Sequence, residues 1–261
     1  MSLDTSKPLL RVSDLSKNYG NQLGCRNVNF ELYPGEVLGI VGESGSGKST
    51  LLNCLSAQLT PSTGTVEYDT RDQGLRDIYR LSEASRRLLM RTDWGIVRQN
   101  ARDGLRMNVS AGANVGERLM AVGARHYGEI RDEATDWLEK VEINRSRIDD
   151  LPKHFSGGMQ QRVQIARNLV TNPRLVFMDE PTGGLDVSVQ ARLLDLLRSL
   201  VTDLGLSAII VTHDLAVTRL LAHRLMVMKQ GEVVECGLTD QVLDDPQHPY
   251  TQLLVSSVLQ P

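Results

Sequence analysis

The chain has 261 residues, of which 41% are hydrophobic and 23% are charged, and its formal net charge at pH 7 is −3. This length is ample for a buried core, and the composition is that of an ordinary globular protein. The slightly acidic balance argues against a dedicated nucleic-acid-binding protein, which is usually basic.

The first hundred residues predict a strand-rich region. Strands are predicted at residues 9–15, 28–32, 36–42 and 63–68, with a turn-rich insert, NYGNQLG, between the first two. A helix, STLLNCLSAQL, follows the third strand, and Arg and Leu at helical spacing predict a helix within 74–92.

The second half alternates helices and strands. Helices are predicted within 115–141 and at 159–170, 188–205 and 216–224, strands at 174–180 and 207–212, and a hairpin over 224–237 around Gln230 and Gly231. Gly205 is expected to close the long helix. This alternation predicts an α/β core with a mostly parallel sheet. The stretch 100–158 reads as mainly helical.

The cysteines and the apolar runs indicate the cell compartment. Cys25, Cys54 and Cys236 are far apart and form no C-x-x-C pair, so neither a disulfide framework nor a zinc site is expected. The start, MSLDTSKPLLRVSDL, lacks the apolar segment of a secretory signal. No apolar run approaches the roughly 18 residues of a membrane span. We therefore expect a cytoplasmic protein without a membrane span.

The segment GESGSGKS (42–49) matches the phosphate-loop pattern G-x-x-x-x-G-K-[ST] between a predicted strand and a predicted helix. Its glycines let the backbone curl so that N–H groups point at phosphate oxygens. Lys48 is expected to reach the β- and γ-phosphates, and the Ser49 hydroxyl to ligate Mg²⁺. The predicted nucleotide contacts are Gly42, Glu43, Ser44, Gly45, Ser46, Gly47, Lys48, Ser49 and Thr50.

Two further segments point to the same chemistry. The apolar strand LVFMDE ends in Asp179, a predicted ligand of the Mg²⁺ shell, and Glu180, a predicted general base for the attacking water. Ser156, Gly157 and Gly158 begin a predicted helix, whose N-terminus also suits a phosphate. One nucleotide site does not need two phosphate-binding helix N-termini from the same copy of the fold. A head-to-tail homodimer with the nucleotide between two copies explains both.

Together these motifs resemble the nucleotide-binding domain of ATP-binding-cassette (ABC) proteins over roughly residues 8–237. That resemblance implies a P-loop NTPase fold with an antiparallel N-terminal β part, an α/β core over 1–99 and 159–237, a helical subdomain over 100–158 and a tail over 238–261. It also implies Mg²⁺-dependent ATP hydrolysis. The chain departs from the family pattern at Met159, where glutamine is commoner, and at Gly183 and Gly184, where a Ser-Ala pair is usual.

The resemblance assigns four further residues. Gln99 corresponds to the Q-loop glutamine, near the catalytic water and Mg²⁺. His213 in VTHD corresponds to the switch histidine that contacts the γ-phosphate. Asp186 ends the D-loop at the nucleotide, and Tyr19 in KNYG is placed to stack on adenine.

The stretch after Gln99 bears on the partner. GIVRQNARDGLRMNVSAGANVG (95–116) is too polar for a core strand and too rich in glycine for a good helix. Between 98 and 110, Arg98, Arg102 and Arg106 against Asp103 leave a net charge of +2, which suits an acidic or polar soluble partner.

Two functional classes stay open. Segments such as RDGLRMNVSAGANVGERLMAVGARHYG and LTDQVLDDPQHPYTQLLVSSVLQ resemble the cassette ATPases of carbon–phosphorus lyase systems. That implies a partner in the soluble lyase core, with room for a second ABC ATPase. The alternative is the ATPase of a dipeptide, oligopeptide, nickel or phosphonate importer. The C-terminal segment QHPYTQLLVSSVLQP of this chain resembles the C-terminal end of the dipeptide, oligopeptide and nickel importer ATPases.

Overall fold

A computed structural model describes residues 6–258 of the chain. It divides into two compact units, one formed by the chain up to residue 86 together with the chain from residue 201, the other by residues 87–200. The predictions for residues 1–5 and 259–261, at the ends of the N-terminal stretch and of the tail, lie outside the described residues. The predicted helical subdomain and tail boundaries stay predictions.

The secondary structure of residues 6–258 alternates strands and helices. The strands are β1 (Leu10–Tyr19), β2 (Gln22–Leu32), β3 (Val37–Val41), β4 (Thr63–Thr70), β5 (Gly74–Asp77), β6 (Trp94–Val97), β7 (Leu175–Asp179), β8 (Ser207–Val211), β9 (Arg224–Lys229) and β10 (Glu232–Leu238). The α-helices are α1 (Lys48–Leu55), α2 (Glu83–Thr92), α3 (Ala101–Gly104), α4 (Ala111–Ala121), α5 (Tyr127–Lys140), α6 (Gly157–Leu169), α7 (Val187–Leu204), α8 (Leu215–Leu221), α9 (Thr239–Asp244) and α10 (Pro249–Val258).

The first unit contains an antiparallel sheet in the order β2-β1-β4-β5. The predicted insert NYGNQLG is not a loop, because β1 and β2 continue through it and pair up to Tyr19 and Gln22. Only Gly20 and Asn21 turn the chain, and Gly20 has a φ of 59°, which glycine adopts without strain.

The same unit holds a second sheet, in which β3 lies between β8 and β9 and is parallel to both, while β10 pairs antiparallel with β9. Every residue of β3 is buried, as expected for a central parallel strand. The predicted hairpin is confirmed, with Gln230 and Gly231 in the turn at φ 48° and 85°.

The second unit pairs β6 with β7 in parallel register, Val97 opposite Met178. Trp94 and Phe177 pack edge to face there, with ring centroids 5.3 Å apart. The described elements between 100 and 158 are all helical: α3, α4, α5 and 3-10 turns at Arg145–Arg147 and Pro152–His154.

Two local predictions needed correction. Residues 74–77 form β5, because pairing with β4 outweighs their helical spacing, and α2 begins only at Glu83. The polar stretch 95–116 is not one loop, since it contains most of β6, all of α3 and the start of α4. The buried Asn114 side chain accepts the Arg106 N–H at 2.8 Å and donates to three backbone carbonyls. It thereby supplies hydrogen-bond partners for the backbone of the turn between α3 and α4.

None of the helices in the described part of the chain combines the length and the apolar character that a membrane span needs.

Candidate nucleotide-binding site

The phosphate loop between β3 and α1 has a backbone that only glycine can adopt at two points. Gly42 has a φ of 153°, and a Cβ there would lie 2.2 Å from the Met228 carbonyl oxygen. Gly47 has a φ of 100°, and a Cβ there would lie 2.2 Å from the Gly24 carbonyl oxygen. A side chain at either position would therefore force the loop away from its supporting strands.

Lys48 closes the loop on its inner side. The ammonium Nζ donates to the Gly42 carbonyl at 2.7 Å and to the Glu43 carbonyl at 2.8 Å, and the residue is 7% exposed. The Ser46 N–H also bonds to the Glu43 carbonyl, at 3.1 Å. A buried cation encircled by backbone is a setting that favours an anionic ligand.

Tyr19 and Thr50 approach each other through Gly24 on β2. A Cβ on Gly24 would meet Thr50 Cγ2 at 2.7 Å and Tyr19 Cε2 at 3.0 Å. Tyr19 is 48% exposed, so part of its ring is open to solvent next to α1, the helix that follows the phosphate loop. Lys17 Nζ lies 5.6 Å from its ring centroid.

His213 follows β8, whose parallel pairing with β3 brings the carboxyl ends of the two strands to one edge of the sheet. The Thr212 N–H donates to the Ile40 carbonyl at 3.1 Å. Asp214 then caps α8, its carboxylate accepting the Ala216 N–H at 2.8 Å. The first unit thus places the phosphate loop and His213 at the carboxyl ends of neighbouring strands, while Tyr19 lies beside Thr50 of α1.

In the second unit, Gln99 comes after β6, Asp179 is the last residue of β7 and Glu180 follows it. Glu180 has a φ of 44°, a left-handed conformation that is uncommon for a non-glycine residue and typical of functional positions. A Cβ built on Gly183 would lie 3.3 Å from both Gln99 Nε2 and Glu180 Cβ. The unit therefore brings Gln99, Asp179 and Glu180 to the same edge of the strand pair.

The Ser156 hydroxyl caps α6, accepting the Met159 N–H at 3.4 Å. A Cβ on Gly158 would lie 2.3 Å from Val189 Cγ1, so the helix start requires glycine against α7. A cavity of about 450 Å³ joins this helix start to the Q-loop. It is lined by Gln99, Asn100, Ala101, Arg102, Lys153, Phe155, Gly157, Gln160, Gln161, Gly183, Gly184 and Leu185.

Asp186 acts as the cap of α7. Its carboxylate accepts the Val189 N–H at 3.0 Å and the Ser188 hydroxyl at 2.8 Å. These donors, the Val189 N–H first, hold the pKa of Asp186 below its usual value. The residue thus has a structural task besides its predicted position at the nucleotide.

Sequence reasoning missed three supporting groups. Gln161 and Gln164, on one face of α6, hold the peptide of Arg98 next to Gln99. Their spacing just after SGGMQ was the signal that could have identified them. The Tyr250 hydroxyl accepts the Glu43 N–H at 3.0 Å, and no local pattern links these two positions.

The glycine-dependent loop, its enclosed lysine and the helix that follows define a P-loop nucleotide-binding protein. The chain matches the ABC transporter family over residues 25–183 and the C-terminal region of oligopeptide and dipeptide transporters over 234–261. It belongs to the ABC family and is an ATPase of that family. The predicted fold class is confirmed.

Similar proteins and solved structures indicate which members of the ABC family this chain resembles. The chain is 68% identical over 255 residues to PhnK of Escherichia coli (strain K12), named as a phosphonates utilization ATP-binding protein, covering 98% of this chain and 99% of that one. It is 37% identical to the dipeptide transport ATP-binding protein DppF of the same organism, covering 96% of this chain and 76% of DppF. The dimeric cassette MJ0796, solved in a post-hydrolysis state with ADP and Pi, matches with a TM-score of 0.78 and 31% identity over 88% of this chain and 98% of that one.

Proposed function

We propose that this ATPase docks on the soluble core of a carbon–phosphorus lyase and couples ATP binding and hydrolysis to remodelling of that core during phosphonate breakdown. The observation that carries the proposal is the 68% identity to the phosphonates utilization protein PhnK along nearly the whole of both chains. Identity to the peptide-importer relative is much lower. The cell compartment proposed for this activity is the cytoplasm.

The proposed chemistry is phosphoryl transfer to water. Glu180 accepts the proton of the attacking water, His213 contacts the γ-phosphate, and Lys48 neutralises phosphate charge. Mg²⁺, held by Ser49, Gln99 and Asp179, would neutralise further charge on the β- and γ-phosphates when bound. The hydroxyl and carboxylate oxygens of these side chains are ligands that Mg²⁺ prefers.

The proposed active form is a homodimer in which the phosphate loop of one copy and Ser156 of the other share one ATP. Two features support it: the dimeric MJ0796 cassette with its bound ADP and Pi, and the helix start at Ser156, whose hydroxyl accepts from its own helix and so keeps its proton for a ligand. Tyr19 is the proposed adenine contact, because its ring is partly exposed.

A basic pocket in the second unit supports an acidic docking partner. It has a volume of about 360 Å³ and is lined by Arg87, Met90, Arg91, Trp94, Ile96, Arg118 and Asn168. The lining contains three arginines and no acidic residue. The exposed Arg91 has neither an ion pair nor a side-chain hydrogen bond among the described residues. We therefore propose that an acidic segment of the partner enters this pocket.

Two of the three pocket arginines, Arg91 and Arg118, form no ion pair with another residue of the described chain. Arg118 donates to the Trp94 carbonyl at 2.7 Å, yet its buried Nε has no hydrogen-bond partner within the described residues. The neighbouring carboxylate of Glu117 is already shared by Arg106, at 2.6 Å, and Arg167, at 2.7 Å. A partner carboxylate would supply the missing negative charge.

The arginines singled out from the sequence contribute unequally. Arg106 is paired with Glu117, so its charge is largely taken up within the unit. Arg102 lines the cavity beside Gln99, where a substitution would also disturb the catalytic region. A substitution of Arg91 therefore tests docking more specifically than one of Arg102 or Arg106.

Affinity purification from phosphate-starved cells tests the function as a whole. We expect tagged protein to recover soluble lyase subunits. Recovery of integral membrane permeases without any lyase subunit would overturn the proposal. That result would favour the importer alternative. The match of residues 234–261 to the C-terminal region of oligopeptide and dipeptide transporters supports this alternative.

Arg91→Glu tests the docking pocket directly. We expect it to weaken recovery of the lyase subunits at least tenfold while basal ATPase activity stays within about twofold, because charge reversal opposes an acidic segment. Arg198→Glu, a charge reversal at another exposed position, on α7, is the matched control and should leave recovery unchanged. Equal recovery with both variants would exclude the pocket as the docking site.

A further inference from the structure

The C-terminal helix α10 reaches the phosphate loop through the hydroxyl of Tyr250. Tyr250, the second residue of α10, is 4% exposed, and its hydroxyl accepts the Glu43 N–H at 3.0 Å. The two residues are separated by 207 positions in the chain. Glu43 is the second residue of GESGSGKS, so this contact falls on the loop itself.

The contact holds Glu43, whose carbonyl is one of the backbone groups that surround the Lys48 ammonium. While the Glu43 N–H donates to Tyr250, the Glu43 carbonyl accepts from Lys48 Nζ at 2.8 Å and from the Ser46 N–H at 3.1 Å. On its other side the loop is held by the Gly231 N–H, which donates to the Ser46 carbonyl at 2.9 Å. Tyr250 and the hairpin turn thus fix the two flanks of the loop.

The tyrosine is itself firmly placed. Its ring packs in a buried cluster with Val41, the residue just before the loop, and with Val227 of β9. Lys229 Nζ lies 4.8 Å from the ring centroid. The start of α10 is anchored as well, because the Glu235 carboxylate accepts the N–H groups of Gln247 and His248 at 2.8 and 3.0 Å.

The hydroxyl is protonated at neutral pH. Burial raises the pKa of Tyr250 above its ordinary value, the Glu43 N–H only partly offsets this, and the Glu43 carboxylate raises the pKa further. A neutral phenol can accept one hydrogen bond and donate another, so it can stabilise the loop without adding a negative charge beside the phosphates.

We propose that Tyr250 is a positioning residue for ATP, holding the Glu43 peptide so that the phosphate loop is ordered before the nucleotide binds. A loop that is already ordered loses less conformational entropy on binding, and this strengthens ground-state and transition-state binding alike. Removing the hydroxyl should therefore change affinity and KM rather than kcat. The inference concerns the ATPase itself and does not depend on the lyase partner.

The test is Tyr250→Phe in the full chain, which keeps the buried ring and removes only the hydroxyl. We expect the Kd for ATP with Mg²⁺, measured by calorimetric titration, and the KM of ATP hydrolysis each to rise between about threefold and about tenfold, the range for one lost hydrogen bond. We expect kcat to stay within about twofold.

Tyr33→Phe is the matched control, because the Tyr33 hydroxyl donates to Glu31 at 2.6 Å on a separate part of the unit. It should leave Kd and KM unchanged. Hydrogen exchange of the peptide containing Glu43 gives a second measurement and should speed up in Tyr250→Phe alone. A wild-type Kd and KM for Tyr250→Phe, or an equal rise in both variants, would overturn the proposal, even if the thermal midpoint falls.

Discussion

The Gln164 side chain forms hydrogen bonds with both backbone groups of Arg98, its N–H and its carbonyl. Its side-chain oxygen accepts the Arg98 N–H at 2.6 Å, and its side-chain nitrogen donates to the Arg98 carbonyl at 3.1 Å. Gln161 adds a second donor to the same carbonyl at 3.2 Å. Because Gln164 lies on α6 and Arg98 immediately precedes Gln99, the helix that is capped by Ser156 positions the backbone just before the Q-loop glutamine.

Gln164→Glu should destabilise the protein, because it replaces the donor to the Arg98 carbonyl with a carboxylate oxygen in a fully buried setting. We expect the free energy of unfolding to fall by about 1–3 kcal/mol, measured by urea denaturation. Gln241→Glu, the same change at an exposed position of α9, is the control. Equal midpoints for the two variants would show that the clamp adds nothing.

The cap of α7 predicts a pH dependence. The pKa of Asp186 is lowered in the folded protein, so its contribution is fully present above the unfolded pKa of about 4 and is lost as the pH falls through the folded value. Asp186→Ala should thus destabilise the nucleotide-free protein at pH 7, and the difference from wild type should shrink as the pH falls below about 4. Thermal unfolding across this range measures it. A difference that is constant with pH would contradict the carboxylate cap.

Lys48→Ala should abolish ATP binding. The substitution removes the enclosed ammonium group whose Nζ bridges the Gly42 and Glu43 carbonyls, and with it the only loop side chain that can neutralise phosphate charge. Calorimetric titration should detect no binding at ATP concentrations that saturate the wild type. Lys140→Ala, at an exposed position of α5, should bind normally. Retained affinity in Lys48→Ala would refute the assigned role.

Glu180→Gln should trap an ATP-bound dimer. The amide keeps the size of the side chain but cannot accept the proton of water, so we expect kcat to fall by about 10²–10⁴ while ATP still binds. Light scattering after size exclusion with ATP and Mg²⁺ should give the mass of two chains for this variant. Glu139→Gln on α5 should behave as wild type. A monomer at saturating ATP would argue against the proposed sandwich.

Several elements could be predicted from local pattern alone. The phosphate loop, β3, β7, β8, α6 and α7 follow from runs of neighbouring residues, since glycine torsions, apolar runs and caps act within a few positions. The prediction failed where pairing partners decide. Residues 74–77 have the spacing of a helix but pair with β4, and residues 95–97 look loop-like but pair with β7. Sheet hydrogen bonds are made with distant segments, so local propensity cannot reveal them.

The sequence by itself determined the class of ligand and of chemistry, because the groups that recognise phosphate lie within eight consecutive residues and the acidic pair ends one apolar strand. Only the tertiary structure decided what supports those groups. Tyr250 reaches Glu43, Gln164 reaches Arg98, and Arg118 joins Arg91 in one basic pocket, across separations along the chain that no short motif spans. Hydrogen bonds and charges act over a few ångströms, and folding alone determines which distant residues come that close.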